Sequence, residues 1–83
     1  MALQIHYFAW LRERIGQSNE TYDSKAKTVS ELLEELIARE ERYALAFSDT
    51  RALKVAVNQQ LSDFDAPLKG NEEIAFFPPM TGG

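Results

Sequence analysis

The chain has 83 residues, a net charge of −4, 45% apolar and 27% charged residues, and no cysteine. That length suits one domain with a core but little room for a deep cavity besides, which weakly favours a carrier, a subunit or a binding module over a self-sufficient enzyme. The composition excludes disulfides, cysteine-ligated zinc and thiol catalysis, lacks the basic cluster that nucleic acid requires, and holds no apolar run near the roughly 20 residues that span a membrane.

Met1-Ala2-Leu3-Gln4 has no basic n-region of the signal-peptide kind, so a soluble cytoplasmic protein is expected. Leu3 to Trp10 reads as a strand, with Leu3, Ile5, Tyr7 and Ala9 on one face and Gln4, His6, Phe8 and Trp10 on the other. A helical turn over Leu11 to Ile15 is stopped by Gly16. Asn19 to Asp23 fits a second, short strand. Thr28 and Glu31 make a capping box, and Val29, Leu32, Leu33, Leu36 and Ile37 then recur on a single stripe. These predict a helix from Val29 to about Glu41.

Tyr43 to Phe47 suggests one more helical turn, and Ser48-Asp49-Thr50 a loop. Leu53 to Asn58 alternates as a strand, and Asn58-Gln59-Gln60 reads as a turn. Asp63 to Pro67 is no central strand, because proline lacks the backbone donor. Gly70-Asn71 marks a turn. Glu73 to Phe77 is the last strand, ended by Pro78-Pro79. One helix over a small sheet gives an α+β roll. The expected core is Leu3, Ile5, Leu32, Leu33, Leu36, Val55, Val57, Ile74 and Phe76.

Most polar residues carry no chemistry. His6 is the lone histidine, with no partner at metal-ligand spacing. Glu34-Glu35 and Glu40-Glu41 are neighbours that do not face each other on a helix. Asp63 and Asp65 lack the glycine and terminal glutamate of a calcium loop. Two features stand out. Strand parity leaves Phe8, Trp10 and Phe77 on the face opposite the helix, and exposed aromatics on a small domain mark an interface, unless a loop such as Leu61 to Phe64 covers them. The second feature is the end of the chain. Two terminal glycines arise by chance in about one chain in 200. Here Pro78-Pro79 stiffens the exit first. Four residues beyond it reach at most roughly 14 Å. A narrow adenylating site could admit such an arm, since glycine permits close backbone approach.

The end Phe76-Phe77-Pro78-Pro79-Met80-Thr81-Gly82-Gly83 resembles the tail of the molybdopterin synthase small subunits, a family of ubiquitin-like sulfur carriers. Phe8-Ala9-Trp10-Leu11-Arg12-Glu13 with Gly16, Ala56-Val57-Asn58 and Pro67-Leu68 are similar to that family too, so the resemblance covers the whole chain. It implies a β-grasp domain over residues 1–83 with a flexible tail at 79–83. It also implies a cycle. A ubiquitin-activating-type adenylyltransferase, using ATP and Mg, adenylates the terminal glycine. A sulfur donor protein converts the adenylate to a thiocarboxylate. The tail then enters the large subunit of a heterotetramer, where sulfur passes to cyclic pyranopterin monophosphate to build the dithiolene.

By that resemblance Gly83 bears the sulfur, with Gly82, Thr81 and Met80 behind it, while Phe8, Leu61 and Phe77 form the apolar patch presented to partners. No cofactor is expected on the chain itself. The sequence departs from the family pattern at Lys69-Gly70-Asn71-Glu72-Glu73, where many relatives have Asp-Gly-Asp-Glu, and at Met80, which is bulkier than the usual valine-like residue. A carrier for thiamin or another thio-cofactor, a protein modifier joined through Gly83, and an interaction module with an unused tail are the alternatives.

Overall fold

The alternation of Leu3, Ile5 and Tyr7 with Gln4 and His6 becomes strand β1 (Leu3–Tyr7) in the computed structural model, which describes residues 2–47 and 53–78. The predicted strand is cut three residues short. Ala9 turns the chain with φ 55°, and Trp10 opens helix α1 (Trp10–Ile15). Leu11 and Ile15, four apart and therefore on one face, are buried. Gly16 ends the helix at φ 90°, where its N–H donates to Arg12 O.

Strand β2 (Asn19–Tyr22) runs antiparallel to β1. Helix α2 (Val29–Arg39) follows, capped by the Thr28 hydroxyl accepting from Glu31 N at 3.2 Å. The Glu31 carboxylate reaches one residue further back than the usual capping box, accepting from Lys27 N at 3.1 Å. Val29, Leu32, Leu33 and Leu36 are buried, as the stripe predicts.

The helix does not continue to Glu41. Glu40 is extended (φ −151°, ψ 148°), and a separate helix α3 (Glu41–Ala46) begins after it. A straight continuation would carry Phe47 about 27 Å from Val29 at 1.5 Å per residue. That overshoots a sheet whose five-residue strands are only about 17 Å long. The break instead turns α3 against α1 and buries Tyr43, Ala46 and Phe47.

Strands β3 (Lys54–Val57) and β4 (Gln60–Ser62) form a hairpin; the sequence gives no strand signal for β4, which is only three residues long. Strand β5 (Glu73–Phe77) falls where predicted. It inserts between β1, to which it is parallel, and β3, to which it is antiparallel, giving the order β2-β1-β5-β3-β4. A five-stranded mixed sheet wrapped on one main helix is the β-grasp arrangement.

The predicted core residues are all buried except Val57, which is partly buried at the edge of the cluster. Phe76 sits at its centre, stacked on Tyr7 with ring centroids 6.3 Å apart and edge-on to Phe47 at 5.3 Å. The segment Ser48-Asp49-Thr50, expected as a loop, lies outside the described residues.

Two carboxylates lock this frame, and neither stands out in the sequence. Glu20 points to the helix side of the sheet, accepts from Tyr7 Oη at 2.7 Å and Tyr43 Oη at 2.6 Å, and pairs with Arg39 at 3.3 Å. Burial pushes Glu20 upward, but the two tyrosine hydrogen bonds and the Arg39 charge outweigh it and hold the carboxyl below its usual range. The Tyr7 hydroxyl is driven far above an ordinary phenol, first by burial and then by its bond to Glu20. Buried Glu72 folds back to accept from Lys69 N (2.7 Å), Gly70 N (2.9 Å) and Asn71 N (3.1 Å). Burial opposes ionisation here also, and the backbone donors prevail, lowering its pKa. Glu72 thus builds the turn at the point where the sequence departs from the family pattern, with Gly70 supplying the left-handed residue at φ 112°.

Candidate functional site

The sheet registers decide what the outer face presents. Gln4 and His6 of β1, Glu73, Ala75 and Phe77 of β5, Lys54 and Ala56 of β3, and Leu61 of β4 all point away from the helices. This face has two halves. One is polar: Gln4 and Thr21 exchange side-chain hydrogen bonds, His6 Nε2 lies 3.2 Å from Glu73 Oε2, and Gln59 Nε2 lies 3.4 Å from Glu73 Oε1. The other half is mostly apolar, with exposed Lys54 opposite Phe77. Leu61 pairs with Ala56, Ala56 with Ala75, and Phe77 closes the row at the end of β5. Two alanines between larger side chains leave a shallow apolar floor.

Phe8 joins this half. Its backbone N–H donates to Phe76 O at 3.2 Å, which sets it beside the last residues of β5. Phe8 is 49% exposed and Leu61 74%, while Phe77 is half-buried. The chain leaves β5 directly after Phe77 through half-buried Pro78, at the apolar end of the face. Pro79, Met80, Thr81, Gly82 and Gly83 lie outside the described residues.

One expectation for this face is corrected, and one alternative is set aside. Trp10 is not part of it: the strand ends before Trp10, which packs against the core from α1 with the Arg14 guanidinium 4.6 Å above its ring. Nor does the segment from Leu61 to Phe64 cover the aromatics. Leu61 is itself exposed on the face, whereas Phe64 packs on the helix side, where it lines a shallow cleft with Ser30, Leu33, Glu34 and Ile37. Among the described residues, no group of three or more His, Asp or Glu side chains is placed to hold a metal ion.

An apolar patch therefore faces solvent beside the end of β5. The ThiS family pattern matches residues 5–83, running through the final glycine. The molybdopterin synthase sulfur carrier subunit of Escherichia coli is 41% identical over 81 residues, covering 98% of this chain and 99% of that protein. This chain belongs to the ThiS family, with the molybdopterin synthase sulfur carrier subunits. The fold is shared with SAMP1 from Haloferax volcanii (TM-score 0.76, 22% identity, all of both chains covered). It is also shared with a chain of the complex of subunits 1 and 2 of the molybdopterin-converting factor from Helicobacter pylori (TM-score 0.64, 26% identity, all of both chains covered).

For a ThiS-family chain, sequence parity alone locates Phe8 and Phe77 on the outer face; Leu61 enters through the resemblance. Parity puts Ala75 on the outer face with Phe77, but neither it nor Ala56 stands out as part of the patch, because alanine suits any environment. Their signal is positional: each stands two residues along a strand from a residue whose facing is already known.

Proposed function

We propose that this chain carries sulfur as a thiocarboxylate on Gly83 and delivers it, as the small subunit of a cytoplasmic molybdopterin synthase, to cyclic pyranopterin monophosphate. The observation that carries this reading is the 41% identity to a molybdopterin synthase sulfur carrier subunit along nearly the whole of both chains. The absence of cysteine agrees with it, since a sulfur carrier without thiols needs another covalent site.

The steps follow from the chemistry of a carboxylate. The Gly83 carboxylate attacks the α-phosphorus of ATP in an adenylyltransferase of ubiquitin-activating type, with Mg offsetting phosphate charge, and pyrophosphate leaves. The acyl-adenylate replaces a poor leaving group, oxide, by AMP. Sulfur at the sulfide level, supplied by a donor protein, displaces AMP and leaves a thiocarboxylate. That sulfur forms a bond to a side-chain carbon of the pterin in the large subunit as the carbon–oxygen bond there breaks and its oxygen departs, and hydrolysis of the resulting acyl–sulfur bond restores the Gly83 carboxylate. Two such deliveries make one dithiolene.

The chain's own contribution is placement. Phe8, Leu61 and Phe77 dock the carrier on its partner, and Pro78-Pro79 direct Met80, Thr81, Gly82 and Gly83 towards the reacting atoms. Positioning of this kind converts a bimolecular encounter into an oriented one.

The test is reconstitution with activating enzyme, ATP and sulfur donor, read by intact mass. The expected product has one oxygen replaced by sulfur, located on the C-terminal peptide, and supports dithiolene formation with the large subunit. Dithiolene formation from a chain that never acquires sulfur would overturn the reading. An isopeptide-linked adduct in place of the thiocarboxylate would favour a protein modifier.

A further inference from the structure

We propose that the turns at Ala9 and at Asn58-Gln59 are strained positioning devices that hold Phe8 and Leu61 ready for docking, an inference that rests on the outer face being the partner surface. Among the described residues, the non-glycine residues with positive φ are Ala9 (55°), Asn58 (51°) and Gln59 (69°). The exposed large hydrophobic side chains are Phe8, Leu45 and Leu61. The two of these that lie on the apolar face, Phe8 and Leu61, each sit within two residues of a strained turn. Leu45, on α3 and away from that face, does not.

The first turn runs from Phe8 to Leu11. Leu11 N donates to Phe8 O at 3.2 Å, and Ala9, at φ 55° and ψ −134°, fills the second position of a type II′ turn. Glycine normally occupies that position, because a β-carbon there meets the backbone. Phe8 is consequently held on both sides: its N–H donates to Phe76 O and its carbonyl accepts from Leu11 N.

The second turn joins Val57 to Gln60, which are paired across the β3–β4 hairpin. Both central residues are left-handed, as in a type I′ turn, where asparagine followed by glycine is the favoured pair. Gln59 stands in glycine's place. The turn is pinned to β5 at three points: Asn58 N donates to Glu73 O (2.7 Å), Glu73 N donates to Asn58 Oδ1 (3.0 Å), and Gln59 Nε2 donates to Glu73 Oε1 (3.4 Å). Leu61 follows on the short strand that this turn aims.

Strained backbone persists only where surrounding contacts over-determine it, and it concentrates where a side chain must be held for binding. A β-carbon at a left-handed position confines the backbone to a narrow range, whereas glycine would let Phe8 and Leu61 sample more. A residue whose backbone is already fixed loses less entropy when it docks. The chain gives up stability at these turns and gains a pre-organised patch.

The experiment compares Ala9→Gly and Gln59→Gly, singly and together, with Phe8→Ala and Leu61→Ala as controls. Each variant is assayed for thermal unfolding of the isolated chain, backbone ¹⁵N order parameters at residues 8 and 61, and affinity for the large subunit of molybdopterin synthase. Relief of strain should raise the melting temperature by about 2–5 °C per turn. Order parameters at the neighbouring docking residue should fall, and the dissociation constant should rise roughly 3- to 10-fold. A purely structural role would not move stability and affinity in opposite directions. A lower melting temperature in both glycine variants overturns the strain assignment. Undiminished order and affinity in the glycine variants, while Phe8→Ala and Leu61→Ala lose affinity, overturns the positioning role alone. Undiminished affinity in both alanine variants overturns the partner-surface reading and the positioning role with it.

Discussion

Phe76 and Phe77 are adjacent in the sequence and opposite in consequence. Phe76 is fully buried between Tyr7 and Phe47, so truncation to alanine removes two ring contacts and opens a cavity at the centre of the core. Such a change costs about 3–5 kcal/mol. A chain of 83 residues has a total stability on the order of 4–12 kcal/mol, so Phe76→Ala removes from about a quarter of it to all of it. Phe77 is half-buried on the outer face, and removing its ring should cost the isolated chain only about 1 kcal/mol, half or less of the value for a fully buried side chain. Its cost should appear in binding instead, as a loss of about 1–2 kcal/mol or more, roughly 5- to 30-fold in dissociation constant. Urea unfolding of the isolated chain and titration calorimetry against the large subunit separate the two effects. Phe76→Leu, which keeps most of the volume, provides a folded comparison with near-normal binding. Should Phe77→Ala unfold as readily as Phe76→Ala, yet bind normally where folded, the assignment of faces is wrong.

Deleting Gly83 should leave the melting temperature unchanged and abolish both adenylation and sulfur loading, because misplacement of even about 1 Å at a reacting centre can cost roughly 100-fold; intact mass after reconstitution checks it. Leu36→Ala, at a fully buried position on α2, should cost about 2–5 kcal/mol in urea unfolding. Glu20→Gln should cost about 1.5–3 kcal/mol by weakening the charge-assisted bonds from Tyr7, Tyr43 and Arg39. Glu20 and Glu72 both have lowered folded-state pKa values, so in mild acid the unfolded chain binds more protons than the folded one. Their stabilisation is therefore complete above the unfolded carboxyl value of about 4.3 and is lost as pH falls through the lower folded values. Circular dichroism across an acid titration should follow this loss, with a shallower slope in Glu20→Gln and Glu72→Gln.

The sequence by itself determined the elements whose signals are local. Alternation marked β1 and β5, the Thr28 cap and the five-residue stripe marked α2, and Gly16 marked the end of α1, because each depends on residues within a turn or two of each other. Parity along β1 and β5 also sent Phe8 and Phe77 to the face away from the helix. Only the tertiary structure decided what depends on distant partners. No glycine or proline marks the break at Glu40; the helix stops there because α3 must return to cover the sheet and bring Tyr43 to Glu20, 23 residues away. Strand β4 exists through pairing with β3, since three residues hold too little pattern to declare a strand. Trp10, read as a strand residue, belongs to a helix because Ala9 accepts a conformation that a propensity argument would reserve for glycine. The patch itself is a product of register: Phe8, Leu61 and Phe77 share a face only after β5 has threaded between β1 and β3, a long-range pairing in which no single segment carries the information.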